Sequence, residues 1–133
     1  MYSLDTTVAV DVFRRPTTQF RARLLGAQAD GLLGLSSLVL FELCFGLHKG
    51  TSSNGRVRLD QFLSGVAQIF EFDSADAESA GELGWHLESR GEKIGPYDTL
   101  IAAQARRRGL VLVTANTREF SRVPGLMLEN WRA

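Results

Sequence analysis

At 133 residues, 44% hydrophobic and 23% charged, the chain has the make-up of one globular domain over residues 1–133, with enough apolar side chain to bury a core. Fifteen basic residues balance fifteen acidic ones, so net charge alone selects no nucleic-acid partner. No apolar run reaches the length of a membrane span, MYSLD lacks the basic-then-apolar pattern of a leader, and the lone Cys44 has no disulfide partner; together these point to a reducing cytoplasm.

In chain order, Tyr2 to Leu4 predicts a first strand ending at Asp5, and Thr6 to Arg14 a helix with a threonine cap. Pro16 opens a second helix that places Phe20, Leu24 and Leu25 on one face. Asp30-Gly31 is a turn before a short buried strand, Leu32 to Leu35. Ser36 or Ser37 then caps a helix running to Lys49-Gly50, which carries Cys44 as a core thiol and Phe41 as a core side chain. After the TSSNG loop, Val57 to Val66 is helical, Ile69 to Phe72 alternates as a strand, and Ser74 caps an acidic helix from Ala75 to Arg90. Gly95-Pro96 starts another helix, which Gly109 ends. Leu110 to Val113 is the continuous apolar run of a strand buried on both faces, and a last strand covers Leu126 to Leu128. Alternating strands and helices predict an α/β fold: a mainly parallel sheet covered on both sides, a three-layer α/β/α sandwich.

The stretch SSLVLFELCFGL holds a single charge, Glu42, among apolar neighbours that cannot neutralise it. Burying an unpaired carboxylate costs several kcal/mol or more, so Glu42 requires a cation, a proton or a wet cleft. In open α/β sheets, ligands bind beyond the carboxyl ends of the strands. Asp5 ends the first strand, Asn116 follows LVLVT, Asp98 sits in the first turn after Gly95-Pro96, and Glu42 lies about a turn into its helix. A parallel sheet brings all four to one rim, where a divalent ion supplies the missing positive charge. Oxygen-only ligands select a hard ion, Mg²⁺ or Mn²⁺, suited to phosphodiester hydrolysis. Each residue also has an ordinary role open to it: Asp5 as a helix cap, Asp98 as a partner of the helix dipole, Asn116 as a turn residue, Glu42 in a buried ion pair. His48 and His86 lack partners at metal-ligand spacing, and the chain has no GxSxG elbow, P-loop or GxGxxG.

Thirteen of the fifteen basic residues are arginine, the side chain that forks onto phosphate. Arg14 and Arg15 near the start, and Arg106, Arg107 and Arg108 later, are the candidates to position a polyanion through its phosphates.

MYSLDTTVAVDVFR, SSLVLFELCFGLHKG and IGPYDTLIAAQARRRGLVLVTANTREFSRVPGLMLENW, in this order, resemble the successive motifs of a PIN domain of the VapC toxin type. The resemblance implies a metal-dependent endoribonuclease in which Asp5, Glu42, Asp98 and Asn116 are catalytic, Asp5 and Asp98 holding the metal. Thr6, Thr114 and Glu119 become accessory polar groups. It further implies a homodimer, a cognate VapB-type antitoxin whose tail covers the site, and tRNA as substrate, the similar enterobacterial-type toxins cutting initiator tRNA in its anticodon stem-loop. Two positions depart from the pattern: Thr7 where the family usually has Asn, and Asn116 where many members have Asp. They leave open a module that binds RNA or protein without cutting; a nuclease of flapped or single-stranded DNA is the other alternative.

Overall fold

The computed structural model describes residues 1–14 and 16–132. Five strands form one sheet, β1 (Tyr2–Leu4), β2 (Leu33–Ser36), β3 (Gln68–Phe70), β4 (Val111–Val113) and β5 (Met127–Glu129), in the order β3-β2-β1-β4-β5. Every neighbouring pair is parallel, so the expected mainly parallel sheet is parallel throughout. Among the described residues, seven helices flank it: α1 (Thr6–Asp11), α2 (Thr18–Ala29), α3 (Ser37–Lys49), α4 (Gly55–Ser64), α5 (Ser74–Ser89), α6 (Pro96–Arg107) and α7 (Thr117–Phe120). α1, α3 and α4 pack into one group and α5 pairs with α6.

The sheet is central because its residues are apolar on both faces. β2 is buried along its whole length, and Leu4, Leu33, Leu35, Leu112 and Val113 have no accessible surface. The β2–β3 pair meets over Gly34: a Cβ there would lie 2.2 Å from Cε2 of Phe70, so the aromatic ring occupies the space the glycine leaves. Gly109, at φ +66°, ends α6 in the left-handed conformation that lets the chain turn into β4.

Several local expectations shift. Asp5, not a threonine, caps α1: its side chain accepts from the Val8 N–H, and the helix stops at Asp11 rather than Arg14. Ser36 provides the cap of α3. Asp73 rather than Ser74 caps α5, because Asp76 returns the bond by accepting from the Asp73 N–H and closes a reciprocal capping box. The third strand ends at Phe70, since Phe72 spends its N–H on the Ser37 hydroxyl instead of the ladder. Leu25, expected on one face with Phe20 and Leu24, is 57% exposed while those two are buried, and Phe41, expected in the core, is 52% exposed, because α2 and α3 each present only a narrow stripe to the sheet. Cys44 is half-buried. No helix among the described residues is long and apolar enough to cross a membrane.

Candidate active site

The parallel sheet collects the strand ends on one rim, and the ladder continues past them: the Asp5 N–H donates to the Val113 carbonyl and the Thr114 N–H to the Glu129 carbonyl. Asp5 is therefore fixed by backbone before its side chain is considered. Its carboxylate is 4% exposed, with Oδ1 accepting from the Val8 N–H at 3.0 Å and Oδ2 from the Thr114 hydroxyl at 2.5 Å. Burial pushes this carboxyl above its ordinary range, against the opposing effect of the Thr114 and Val8 bonds and of the Arg132 charge. The capping role and the rim position, alternatives in the sequence, belong here to the same side chain.

Thr114 links two site residues. Its hydroxyl donates to Asp5 and accepts from the Asn116 N–H at 2.9 Å. The Asn116 side-chain amide donates to Glu119 at 2.8 Å, which holds that carboxylate at the start of α7. Asp98 stands in the first turn of α6 and is partly buried. Its carboxyl is held above the usual range, first by burial and then by the negative charges of Asp5, Glu119 and Glu42. Residues from four parts of the chain thus act on one another electrostatically at Asp98. Glu42 is half-buried and opens on a groove of about 270 Å³ between α1, α3 and α4, lined also by Val10, Phe13, Leu43, Leu47 and Arg58.

Among the described residues, no three carboxylates, imidazoles or thiols are close enough to enclose one ion directly. A hard ion such as Mg²⁺ keeps much of its water and takes only one or two carboxylates. The donors fit such an ion: they are oxygen only, they repel one another, and the buried Thr6 hydroxyl beside Asp5 has no protein partner among the described residues.

The arginines divide. Arg107 and Arg108 close over the fully buried Asp76, whose Oδ1 accepts from Arg107 Nε at 2.7 Å and whose Oδ2 accepts from an Arg108 terminal nitrogen at 2.9 Å. Burial raises the Asp76 carboxyl, but these bonds, with those from the Asp73 N–H and Gln104, outweigh it and hold the group well below the usual carboxylate range. Arg106 donates to the Pro124 carbonyl. Nine residues of helix, roughly 14 Å of rise, separate Arg107 from Asp98, so this trio braces the far end of α6. Arg14 is exposed at the end of α1, and Arg15 lies outside the described residues. Sequence reading missed Arg132, which pairs with Asp11 and whose charge acts on Asp5; nothing in its local sequence marks it, since its partner is at the other end of the chain. His48 and His86 are exposed.

A family model for the PIN domain matches residues 2–126. The chain belongs to the PIN-domain family. This PIN domain is 33% identical over 130 residues to a Shigella flexneri protein named tRNA(fMet)-specific endonuclease VapC, covering 98% of this chain and 97% of the relative. It is 36% identical over 132 residues to Ribonuclease VapC2 of Rickettsia felis, covering 98% of each. The crystal structure of VapBC2 from Rickettsia felis bound to a DNA fragment from its promoter superposes with a TM-score of 0.90 at 35% identity, covering 98% of both chains.

Proposed function

We propose that this PIN domain is the toxin of a type II toxin–antitoxin pair, an endoribonuclease that hydrolyses a phosphodiester of tRNA, initiator tRNA first among the candidates, in the bacterial cytoplasm. The observation that carries it is the carboxylate neighbourhood of Asp98, drawn from Asp5, Glu42 and Glu119, with no cation among the described residues offsetting it at Asp98. The substrate follows from the full-length likeness to a relative named for tRNA(fMet) cleavage. Likeness to a VapBC complex supports a VapB-type antitoxin as partner, and a homodimer completes the reading.

Asp5 and Asp98 would hold the ion, Mg²⁺ or Mn²⁺, with Glu42 and Glu119 adding negative charge around its water shell. Such an ion lowers the pKa of bound water and offsets charge on the reacting phosphate. The chain's own residues do the rest. Thr114 and the Val8 N–H hold both oxygens of Asp5 in place, so the carboxylate needs no reorganisation as charge develops. Asn116 and Glu119 form a hydrogen-bonded pair at the mouth, where the amide donor keeps Glu119 oriented. The partly buried setting of Asp98 strengthens electrostatic attraction to a cation over that available in water.

The test is cleavage of tRNA with Mg²⁺ by the purified protein and by its Asp5→Ala and Asp98→Ala variants, with single-stranded and flapped DNA as competitors. Loss of cutting by at least a hundredfold in both variants is expected, with DNA left intact. Full activity in either variant refutes the assigned site.

A further inference from the structure

Beside Asp5, on the side of α1 and α2, lies a second cleft of about 220 Å³, lined by Asp11, Arg14, Pro16, Thr17, Phe20 and Arg132. Two of its six lining residues are guanidinium groups, and the one acid, Asp11, is paired to Arg132. Arg132 stands in ion-pair contact with Asp11 while its side chain stays 39% exposed, so N–H groups of its five-donor fork remain to face a ligand. Arg14 is exposed and has no ion-pair partner among the described residues. Thr17 caps the twelve-residue helix α2, so the positive end of that helix also borders the cleft. The balance is therefore cationic, in contrast to the carboxylate neighbourhood next door. The two are adjacent: six residues of α1, roughly 9 Å of rise, run from the site to Asp11, and the Arg132 charge is felt at Asp5.

We propose that this cleft is a phosphate subsite, in which Arg14 and Arg132 bind the backbone phosphate next to the one cut and Asp11 orients Arg132 for that contact. The proposal rests on the nucleic-acid-cutting function above and adds where the strand enters the site. The planar guanidinium fork, with two parallel N–H donors, is suited to phosphate oxygens. Because it meets backbone and no base edge, the contact positions the strand without reading sequence.

The experiment measures binding and cutting separately. A short fluorescent single-stranded RNA is titrated by anisotropy between 50 and 200 mM salt with protein carrying Asp98→Asn, so that it stays intact. Arg14→Gln and Arg132→Gln should each weaken binding several-fold, and each should flatten the slope of log affinity against log salt by about 0.7. Arg132→Lys should retain the slope and lose part of the affinity. Arg90→Gln, whose arginine pairs with Glu92 away from the cleft, should leave both unchanged. In cleavage by the otherwise unmodified enzyme, Arg14→Gln should raise KM and spare kcat. Arg14 is exposed and makes no ion pair among the described residues, so its variant reports even if Arg132→Gln disturbs Asp11. An unchanged salt slope in Arg14→Gln and Arg132→Gln overturns the subsite, whether or not the enzyme cuts. If the slopes flatten as stated but the unmodified protein cuts no RNA, the subsite stands and the nuclease function falls.

Discussion

Replacing Asp76 by Ala should destabilise the protein by about 3 kcal/mol, the low end of what breaking a buried ion pair costs. The side chain has no exposure and accepts from Arg107 at 2.7 Å, Arg108 at 2.9 Å, Gln104 at 3.0 Å and the Asp73 N–H at 3.1 Å. Charge-assisted bonds contribute roughly 1.5–3 kcal/mol each when truly buried. Here the two guanidinium groups are 35% and 23% exposed, so water recovers much of their loss once the carboxylate is gone. Gln104 and the Asp73 N–H recover less, which sets the remaining cost. Urea unfolding with an unchanged slope reads the difference directly. The acid side fixes the sign independently. A carboxyl held low in the folded state contributes stability that is complete above the unfolded pKa, about 4, and is lost as pH falls further toward the folded value. The gap between wild type and Asp76→Ala should therefore be full at pH 6 and narrow steadily below about pH 4. A gap below about 1 kcal/mol at pH 6, or one that widens in acid, would mean that the buried carboxylate is not what braces α5, α6 and the end of β3.

Asp98→Asn should raise the metal-free stability at pH 7 by about 1 kcal/mol while abolishing cleavage, since it relieves repulsion from Asp5, Glu119 and Glu42; a lower melting temperature contradicts it. Because the folded pKa of Asp98 lies above its unfolded value, its repulsion is a cost at neutral pH that disappears as pH falls through that folded value, so in metal-free protein the gap between variant and wild type closes in mild acid. Mg²⁺ should raise the melting temperature of wild type more than that of Asp98→Asn, measured by calorimetry with and without chelator. Thr114→Val leaves a buried oxygen of Asp5 without its donor and should cost about 1–3 kcal/mol together with a large loss of cleavage. Gly34→Ala should cost at least about 1–3 kcal/mol because its Cβ meets the Phe70 ring, and Phe70→Leu in the same chain should return part of that loss.

Much of the site was legible because its residues follow strong local signals. Asp5 ends an apolar strand, Asp98 follows Gly-Pro at a helix start, and Asn116 follows LVLVT, so the parallel-sheet rule alone brought them to one rim. Glu42 was marked by its isolation in an apolar helix, and the structure gives it a groove instead of an ion pair. What escaped depends on distant partners. Arg107 and Arg108 read as free basic residues because Asp76 lies a whole helix away in sequence, and Arg132 carried no signal because Asp11 is near the other terminus. α7 spans four residues, too few for any periodicity to show. Phe41 and Leu25 look like core residues by type, and only packing reveals that their helices turn them outward.

The central position of β1 has a consequence for assembly of the site. β1 takes one neighbour from residues 33–35 and the other from residues 111–113, and Asp5 meets its hydroxyl donor 109 positions later in the chain. A chain short of β4 has three of the five strands, an open edge along β1 and an Asp5 without its Thr114 donor. The surroundings of Asp5 are thus completed only once residues 111–114 have joined the sheet, so the candidate site is a product of long-range folding and cannot form in any shorter stretch of the chain.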